Sequence, residues 1–187
     1  MKVLIDTNVL YPTVMREVVL GVAATGAFTP LWSARILEEW ARAARKLGPG
    51  GEDQARTEIA ALRRRWPDAE VDWPPSLEAR LWLPDGNDVH VLAAAIAGSA
   101  DLILTLNAQD FPRGTLREEG LDRSDPDAFL MRCREDAPET VAAVAQSVLT
   151  EARALSHDDW TLRALLKKAR LPRLAKALDP PGRHDLN

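Results

Sequence analysis

Four acidic residues of the sequence have the type and placement for metal-assisted chemistry: Asp6, Glu39, Asp88 and Asp110. Carboxylates that are brought together repel one another and raise each other's pKa unless a cation enters, so a cluster of them is best explained as a metal site. Ligation by oxygen atoms alone favours Mg²⁺ or Mn²⁺. A divalent ion in such a site can activate water and neutralise charge on a phosphodiester oxygen. The set therefore indicates hydrolysis without a protein nucleophile.

Each of these acids also has a local structural explanation. Asp6 suits a turn, Asp88 suits a helix N-cap, and Asp110 suits the turn before a proline. Glu39 stands beside Glu38 and could be a solvated acid on a helix surface. The order of the four acids along the chain, and their position relative to the predicted strands, favours the functional interpretation.

The elements that must position these acids follow from the hydrophobic pattern. Apolar runs at residues 2–5 and 101–106 predict two strands that are too hydrophobic for a solvated sheet face. Helices are predicted between them over residues 9–27, 34–47, 52–66 and 89–98, with a short strand over residues 71–73. Strands of this kind joined by crossover helices indicate an α/β fold with a central parallel sheet flanked by helices.

Polar residues follow both predicted strands. Asp6 and Asn8 come directly after the first, and Thr105 and Asp110 come at the end of the second. Ligands gather at the carboxyl ends of parallel strands, so we expect these side chains to share one crevice. Glu39 and Asp88, which lie on the flanking helices, could point into the same crevice.

Beyond residue 125 the pattern is helical. Pro138 begins a long amphipathic segment that continues through Leu155. We therefore predict two domains, a catalytic domain over residues 1–125 and a helical C-terminal region over residues 126–187.

Composition excludes several classes of protein. The 187 residues include no apolar run of the ~18 to 20 residues that a bilayer span needs and no signal-peptide core, so we expect a cytoplasmic protein without membrane contact. Cys133 is the single cysteine, which excludes an intramolecular disulfide and a thiolate zinc site, and we expect it to pack within a helix. The net charge of −4 argues against non-specific wrapping of nucleic acid.

Three segments carry a family resemblance: KVLIDTNVL at residues 2–10, SARILEEW at 33–40, and PDGNDVHVLAAAIAGSADLILTLNAQDFP at 84–112. Together they resemble a PIN domain, and most of all the VapC-like toxin group, in which a helical C-terminal extension also occurs. The resemblance implies the PIN-like three-layer α/β fold over roughly residues 1–115. It also implies Mg²⁺- or Mn²⁺-dependent cleavage of RNA.

The resemblance also implies roles for individual residues. Asp6, Glu39, Asp88 and Asp110 would be the catalytic metal ligands, with Glu38 in place of Glu39 if the helix register differs. Asn8 and Thr105 would support these ligands by orienting them or a water molecule. Asp85 and Asn107 would line the rim of the site. Many PIN domains carry an aspartate where this chain has Asn107, so Asp110 must supply the fourth acid, and the number of metal ions stays open.

The function implied is that of an endoribonuclease, the toxin of a type II toxin-antitoxin pair, with RNA as substrate and an antitoxin protein that covers or distorts the acidic crevice. A homodimer is also considered. One alternative is a catalytically weak PIN-fold module that binds RNA or protein, suggested by Asn107. A less favoured alternative is a haloacid-dehalogenase-type phosphatase, which needs Asp-x-Asp where Asp6-Thr7-Asn8 supplies only the first acid. His90, two residues after Asp88, is predicted to lie on a helix surface.

Overall fold

The protein is described by a computed structural model that covers residues 1–156 and 158–179. Its contacts divide the chain into two compact units. The first, the sheet unit, contains residues 1–11 and 28–124, and the second, the helical unit, contains residues 12–27 and the chain from residue 125 onward. The remainder of the predicted helical region, residues 157 and 180–187, lies outside the described residues. None of the described helices is long and apolar enough to cross a membrane.

The sheet unit is built on four parallel strands: β1 (Lys2–Ile5), β2 (Thr29–Leu31), β3 (Leu102–Leu104) and β4 (Asp122–Ser124). Their order is β2-β1-β3-β4. The side chains of Val3 to Ile5 are fully buried, as expected for a central strand covered on both faces. Ile5 pairs with Leu104, so β1 and β3 end at the same level of the sheet. The predicted α/β class with a parallel sheet is confirmed.

The helices of the sheet unit are α1 (Thr7–Leu10), α3 (Ala34–Ala43), α4 (Gly51–Arg65), α5 (Pro75–Ala79), α6 (Val89–Ala97) and α7 (Arg113–Glu118). Two 3-10 turns, Ala44–Leu47 and Gly86–Asp88, lead out of α3 and into α6. Helix α6 packs on β1 and β3. It is apolar on nearly every side, which is the composition of a helix buried all round.

Two sequence predictions about these elements are wrong. The single helix predicted over residues 9–27 is interrupted, because Pro12 has no N–H to donate to the preceding turn and its ring disfavours a helical conformation before it. No strand forms at residues 71–73. The residue before them, Glu70, makes an isolated bridge to Trp32. The fourth strand of the sheet is Asp122–Ser124. Its sequence contains no apolar residue, so the hydrophobic pattern did not predict it.

The helical unit consists of α2 (Thr13–Ala24), α8 (Pro126–Asp136), α9 (Pro138–Ser156), α10 (Leu162–Lys168) and α11 (Pro172–Leu178). Helix α9 packs on α2, and a Cβ at Gly21 would lie 2.5 Å from the Cγ1 of Val144, so a larger residue here would displace Val144. The helix predicted to begin at Pro138 is confirmed. Cys133 is buried in α8, as predicted.

Candidate active site

Asp6 and Thr105 form the centre of the site, at the carboxyl ends of the two central strands. The Asp6 Oδ2 accepts hydrogen bonds from the Thr105 hydroxyl at 2.7 Å and from the Asn8 side-chain amide at 2.6 Å. The backbone N–H of Asp6 donates to the carbonyl of Leu104 at 3.1 Å, which continues the β1–β3 ladder into the site. Asp6 and Thr105 are almost fully buried. The sheet itself therefore fixes the position of the Asp6 carboxylate.

Asn8 and Thr105 tie the two strand ends together. The Asn8 side-chain oxygen accepts the backbone N–H of Leu106 at 2.9 Å, while its amide also lies 3.2 Å from the Thr105 hydroxyl oxygen. The backbone N–H of Asn107 donates to the same hydroxyl at 3.0 Å. Asn8 and Thr105 thus hold the ends of β1 and β3 and the carboxylate between them.

Three aspartates come together beside this centre. Asp85, Asp88 and Asp110 each offer a carboxylate oxygen, and the three oxygens lie within 4.8 Å of one another. Asp85 accepts the backbone N–H of Asn87 at 2.9 Å and so begins the 3-10 turn that carries Asp88 to the start of α6. All three side chains are half-buried. We call this set the three-aspartate cluster.

The charges of these acids act on one another. Burial, followed by the negative charges of Asp6, Asp85 and Asp110, raises the pKa of Asp88 to about 6, with a small opposing effect of His90. Burial also raises the pKa of Asp6, although the hydrogen bond from Thr105 opposes it. Crowded carboxylates with raised pKa values and only oxygen donors fit a hard divalent cation, whose charge would relieve the repulsion. The residues present therefore suit the metal that the sequence predicts.

Glu39 reaches the site from α3 but is held differently. Its Oε2 accepts the Thr7 hydroxyl at 3.0 Å, and its Oε1 lies 3.0 Å from His90 Nε2 and 3.4 Å from Arg35 Nε. Burial raises the pKa of Glu39, but the hydrogen bond and charge of His90, with Thr7 and Arg35, outweigh it and leave the pKa lowered. Glu39 is therefore kept ionised by the protein's own donors.

Glu38 faces away from the site, where it pairs with Arg42 at 2.8 Å and with Arg56 at 3.0 Å. These hydrogen bonds lower the pKa of Glu38 to about 2. Of the two glutamates left open by the helix register, Glu39 is the one near Asp6.

His90 is not a helix-surface residue, and that prediction is wrong. Its side chain is 1% exposed, with Nε2 directed at Glu39 and with an Nδ1 that has no hydrogen-bond partner in the part of the chain that the structure describes. The reason is the composition of α6, which is apolar on nearly every side and so buries the residues of its first turn as well. That composition was the available signal for His90, whereas nothing in the sequence singled out Thr7 or Arg35.

The predicted site residues thus fall into connected groups. Asp88 and Asp110 lie in the three-aspartate cluster together with Asp85, which was expected only at the rim. The charge of Asp6 acts on Asp88, and that of Glu39 acts on Asp6, although Glu39 is not a member of the cluster. The Asn107 side-chain amide donates to Asp110, the acid that the resemblance requires because position 107 is not an aspartate.

Replacing Thr105 with valine tests the hydrogen bonds at the strand ends. Valine keeps the shape but removes the hydroxyl that bonds Asp6, Asn8 and the N–H of Asn107. Asp6 and Asn8 still bond to each other, so the N–H of Asn107 is the group left without a partner. Unsatisfied buried groups cost about 1–3 kcal/mol each, so we expect Thr105→Val to lower the free energy of unfolding by about 2 kcal/mol in urea titrations. Thr105→Ser retains the hydroxyl and is the control. Equal stability of the valine variant and the wild type would contradict the role given to this hydroxyl.

Comparison with known proteins agrees with the geometry. A protein-family model described as PIN domain matches residues 2–109, which is more than half of the chain. No curated protein and no solved structure matches the chain. PIN domains are in general metal-dependent nucleases, and the three-aspartate cluster could hold such an ion. The match spans β1, α3, α6 and β3, which are the elements that position the site residues, and the chain belongs to the PIN domain family.

Proposed function

We propose that this protein is a divalent-metal-dependent endoribonuclease that hydrolyses RNA phosphodiester bonds. The observation that carries the proposal is the three-aspartate cluster beside the buried Asp6, at the carboxyl end of the parallel sheet. An oxygen-only cluster with a raised Asp88 pKa is stabilised by a cation and destabilised without one. Mg²⁺ or Mn²⁺ is the proposed cofactor because both prefer carboxylate oxygen.

The proposed ligands are the four acids that the resemblance selects, Asp6, Glu39, Asp88 and Asp110, with Asp85 added by its position in the cluster. When bound, the metal would supply water activation and neutralise charge on the phosphodiester. The protein's own groups do the positioning. Asn8 and Thr105 fix the Asp6 carboxylate, Asn107 fixes Asp110, and the donors around Glu39 keep that carboxylate ionised and in place.

We further propose that the protein is the toxin of a type II toxin-antitoxin pair, inhibited by an antitoxin that covers or distorts the acidic site. This proposal is supported by the resemblance of the three segments to the VapC-like group. A partner of this kind would act where the acids are exposed, since the three aspartates are only half-buried. A cytoplasmic location and a homodimer are parts of the same proposal.

A second candidate is a PIN-fold module that binds RNA or protein with little catalysis. The observation that favours it is Asn107, whose side chain donates to an oxygen of Asp110 instead of offering a carboxylate. The phosphatase alternative has no comparable support, because Asn8 donates its amide to Asp6 where that chemistry needs a second acid.

Metal dependence separates the nuclease from the binding module. We expect the metal-free protein to leave RNA intact, and to cleave it after addition of Mg²⁺ or Mn²⁺, with cleavage stopped by a chelator and restored by excess metal. The melting temperature of the protein should rise with Mn²⁺ concentration, since a ligand that binds only the folded state stabilises it. Cleavage that persists in chelator would contradict the proposal. A rise in melting temperature without cleavage would favour the binding module.

A further inference from the structure

Trp82 is an exposed aromatic side chain in the sheet unit. Its side chain is 68% exposed, and within residues 1–156 and 158–179 no group stacks on its ring or hydrogen-bonds to its indole N–H. The chain has six tryptophans. The other five are buried or have a partner within the protein: Trp32, Trp40, Trp66, Trp73 and Trp160. Burial of a large apolar side chain provides roughly 1.5–3 kcal/mol, so a ligand that covers this indole would gain affinity from it.

The segment that carries Trp82 is anchored on both sides. Arg80 makes a two-pronged ion pair with Glu119, at 2.6 Å and 2.9 Å. Leu83 is 2% exposed and fixes the chain directly after the tryptophan. Asp85 then accepts the N–H of Asn87. The indole is therefore presented to solvent by a fixed stretch of backbone, which reduces the entropy lost when a ligand binds to it.

The anchored segment runs directly into the three-aspartate cluster. Trp82 precedes Asp85 by three residues, so their Cα atoms are at most about 11 Å apart even in a fully extended chain. Trp82 is thus an exposed aromatic residue close in the chain to the group of acids that is proposed to bind metal. Any RNA phosphodiester held at those acids has bases attached within a short distance on either side.

We propose that Trp82 is a base-binding residue that stacks on an unpaired nucleobase of the RNA next to the phosphodiester held at the three-aspartate cluster. This inference rests on the proposed nuclease function. Tryptophan offers a flat face to any base, and stacking of this kind contributes about 1–3 kcal/mol per base. Stacking also supplies affinity that does not depend on contacts between Lys or Arg side chains and phosphates. A chain with a net charge of −4 has few such side chains to spare, so this source of affinity matters more. The base that stacks on Trp82 must be unpaired, because paired bases have no free face.

The test measures RNA binding by the full-length wild-type protein, the parent of the variants below, with Mn²⁺ present and by rapid mixing on a timescale shorter than cleavage. The probes are a labelled single-stranded oligoribonucleotide of mixed sequence and an abasic strand with the same number of phosphates. We expect Trp82→Ala to weaken binding of the first probe by about tenfold, within the range that stacking allows, and to leave binding of the abasic strand unchanged. Trp82→Phe should retain most of the affinity, since the ring still stacks.

Leu47→Ala is the matched control, because Leu47 is also 68% exposed in the sheet unit but lies at the end of the 3-10 turn after α3. It should bind both probes as the parent does. Unchanged binding by Trp82→Ala would overturn the inference and assign the exposed indole to a protein contact. An equal loss on the abasic strand would also overturn it. If the wild type neither bound nor cleaved RNA, the proposed function itself would fail. Binding that does not depend on Trp82 would overturn this inference alone.

Discussion

Asp88→Asn is expected to reduce RNA cleavage by about a thousandfold or more while the protein stays folded. Burial and the negative charges of Asp6, Asp85 and Asp110 all raise the pKa of Asp88, so a cation at the cluster would relieve the repulsion on this carboxylate. A metal ion bound there is worth several kcal/mol of transition-state charge stabilisation, and each ~1.4 kcal/mol corresponds to tenfold in rate. Asparagine keeps the shape but loses the charge that would hold the ion.

The same substitution should stabilise the metal-free protein. The pKa of Asp88 is raised to about 6 in the fold from an ordinary value of 3.8, so ionisation of this carboxyl opposes folding. The cost grows as pH rises from 3.8 through 6 and is complete at neutral pH. Because the side chain is only partly buried, solvent screening reduces the effect, and we expect a gain of about 1 kcal/mol in the free energy of unfolding at pH 7.

Asp68→Asn is the matched control, since Asp68 is an exposed aspartate of the sheet unit outside the cluster. It should cleave RNA at the wild-type rate and have wild-type stability. Cleavage rates at saturating metal test the expected loss of activity. Unfolding measured in chelator tests the expected gain in stability of the metal-free protein. Wild-type cleavage by Asp88→Asn would exclude Asp88 as a metal ligand, and a large loss of stability would show that it supports the fold.

The central part of the fold could be predicted because its signals are local. The apolar runs that became β1 and β3 are continuous and end in polar residues, which marks both the strands and the edge where a site forms. The edge strand β4 has the sequence Asp-Arg-Ser, and it is a strand because its backbone continues the ladder from β3. Strand propensity depends on such neighbours, so residues 122–124 carried no signal of their own.

The candidate site was predictable to a similar extent. Asp6 and Asp88 follow from their position at the end of a strand and at the start of α6. Asp85 was expected only at the rim, because its approach to Asp110 depends on the 3-10 turn, whose path the sequence does not give. His90 was misplaced because a polar residue in the first turn of a helix is usually exposed, whereas α6 is buried on nearly every side.

The acids differ in how far the protein already compensates their charge. The pKa of Asp88 is raised and that of Glu39 is lowered, because Glu39 has donors from Thr7, His90 and Arg35. A cation would therefore relieve the three-aspartate cluster most, while Glu39 contributes a carboxylate whose orientation is set by the protein. The effect of Glu39 on catalysis should then depend on the residue that holds it.

His90→Leu is expected to lower cleavage by about ten- to a hundredfold, the usual effect of removing a residue that orients a metal ligand. A carboxylate only accepts hydrogen bonds, so the His90 Nε2, 3.0 Å from Glu39, must carry the proton and donate it. Leucine fills similar space in the first turn of α6 but cannot donate. His90→Gln places an amide N–H at a comparable reach and should recover most of the activity and of the Mn²⁺ affinity.

Val91→Ala provides the structural comparison, since Val91 is fully buried in the same turn of α6 and makes no contact of this kind with Glu39. It should lower the free energy of unfolding by about 1–2 kcal/mol, as expected for a buried truncation, yet retain full cleavage per folded molecule and wild-type Mn²⁺ affinity. Cleavage rates and calorimetric Mn²⁺ titrations of His90→Leu, His90→Gln and Val91→Ala test whether His90 acts as a donor to Glu39. If glutamine failed to restore what leucine loses, or if Val91→Ala lost as much cleavage as His90→Leu, the donor role of His90 would be wrong and its burial would serve packing alone.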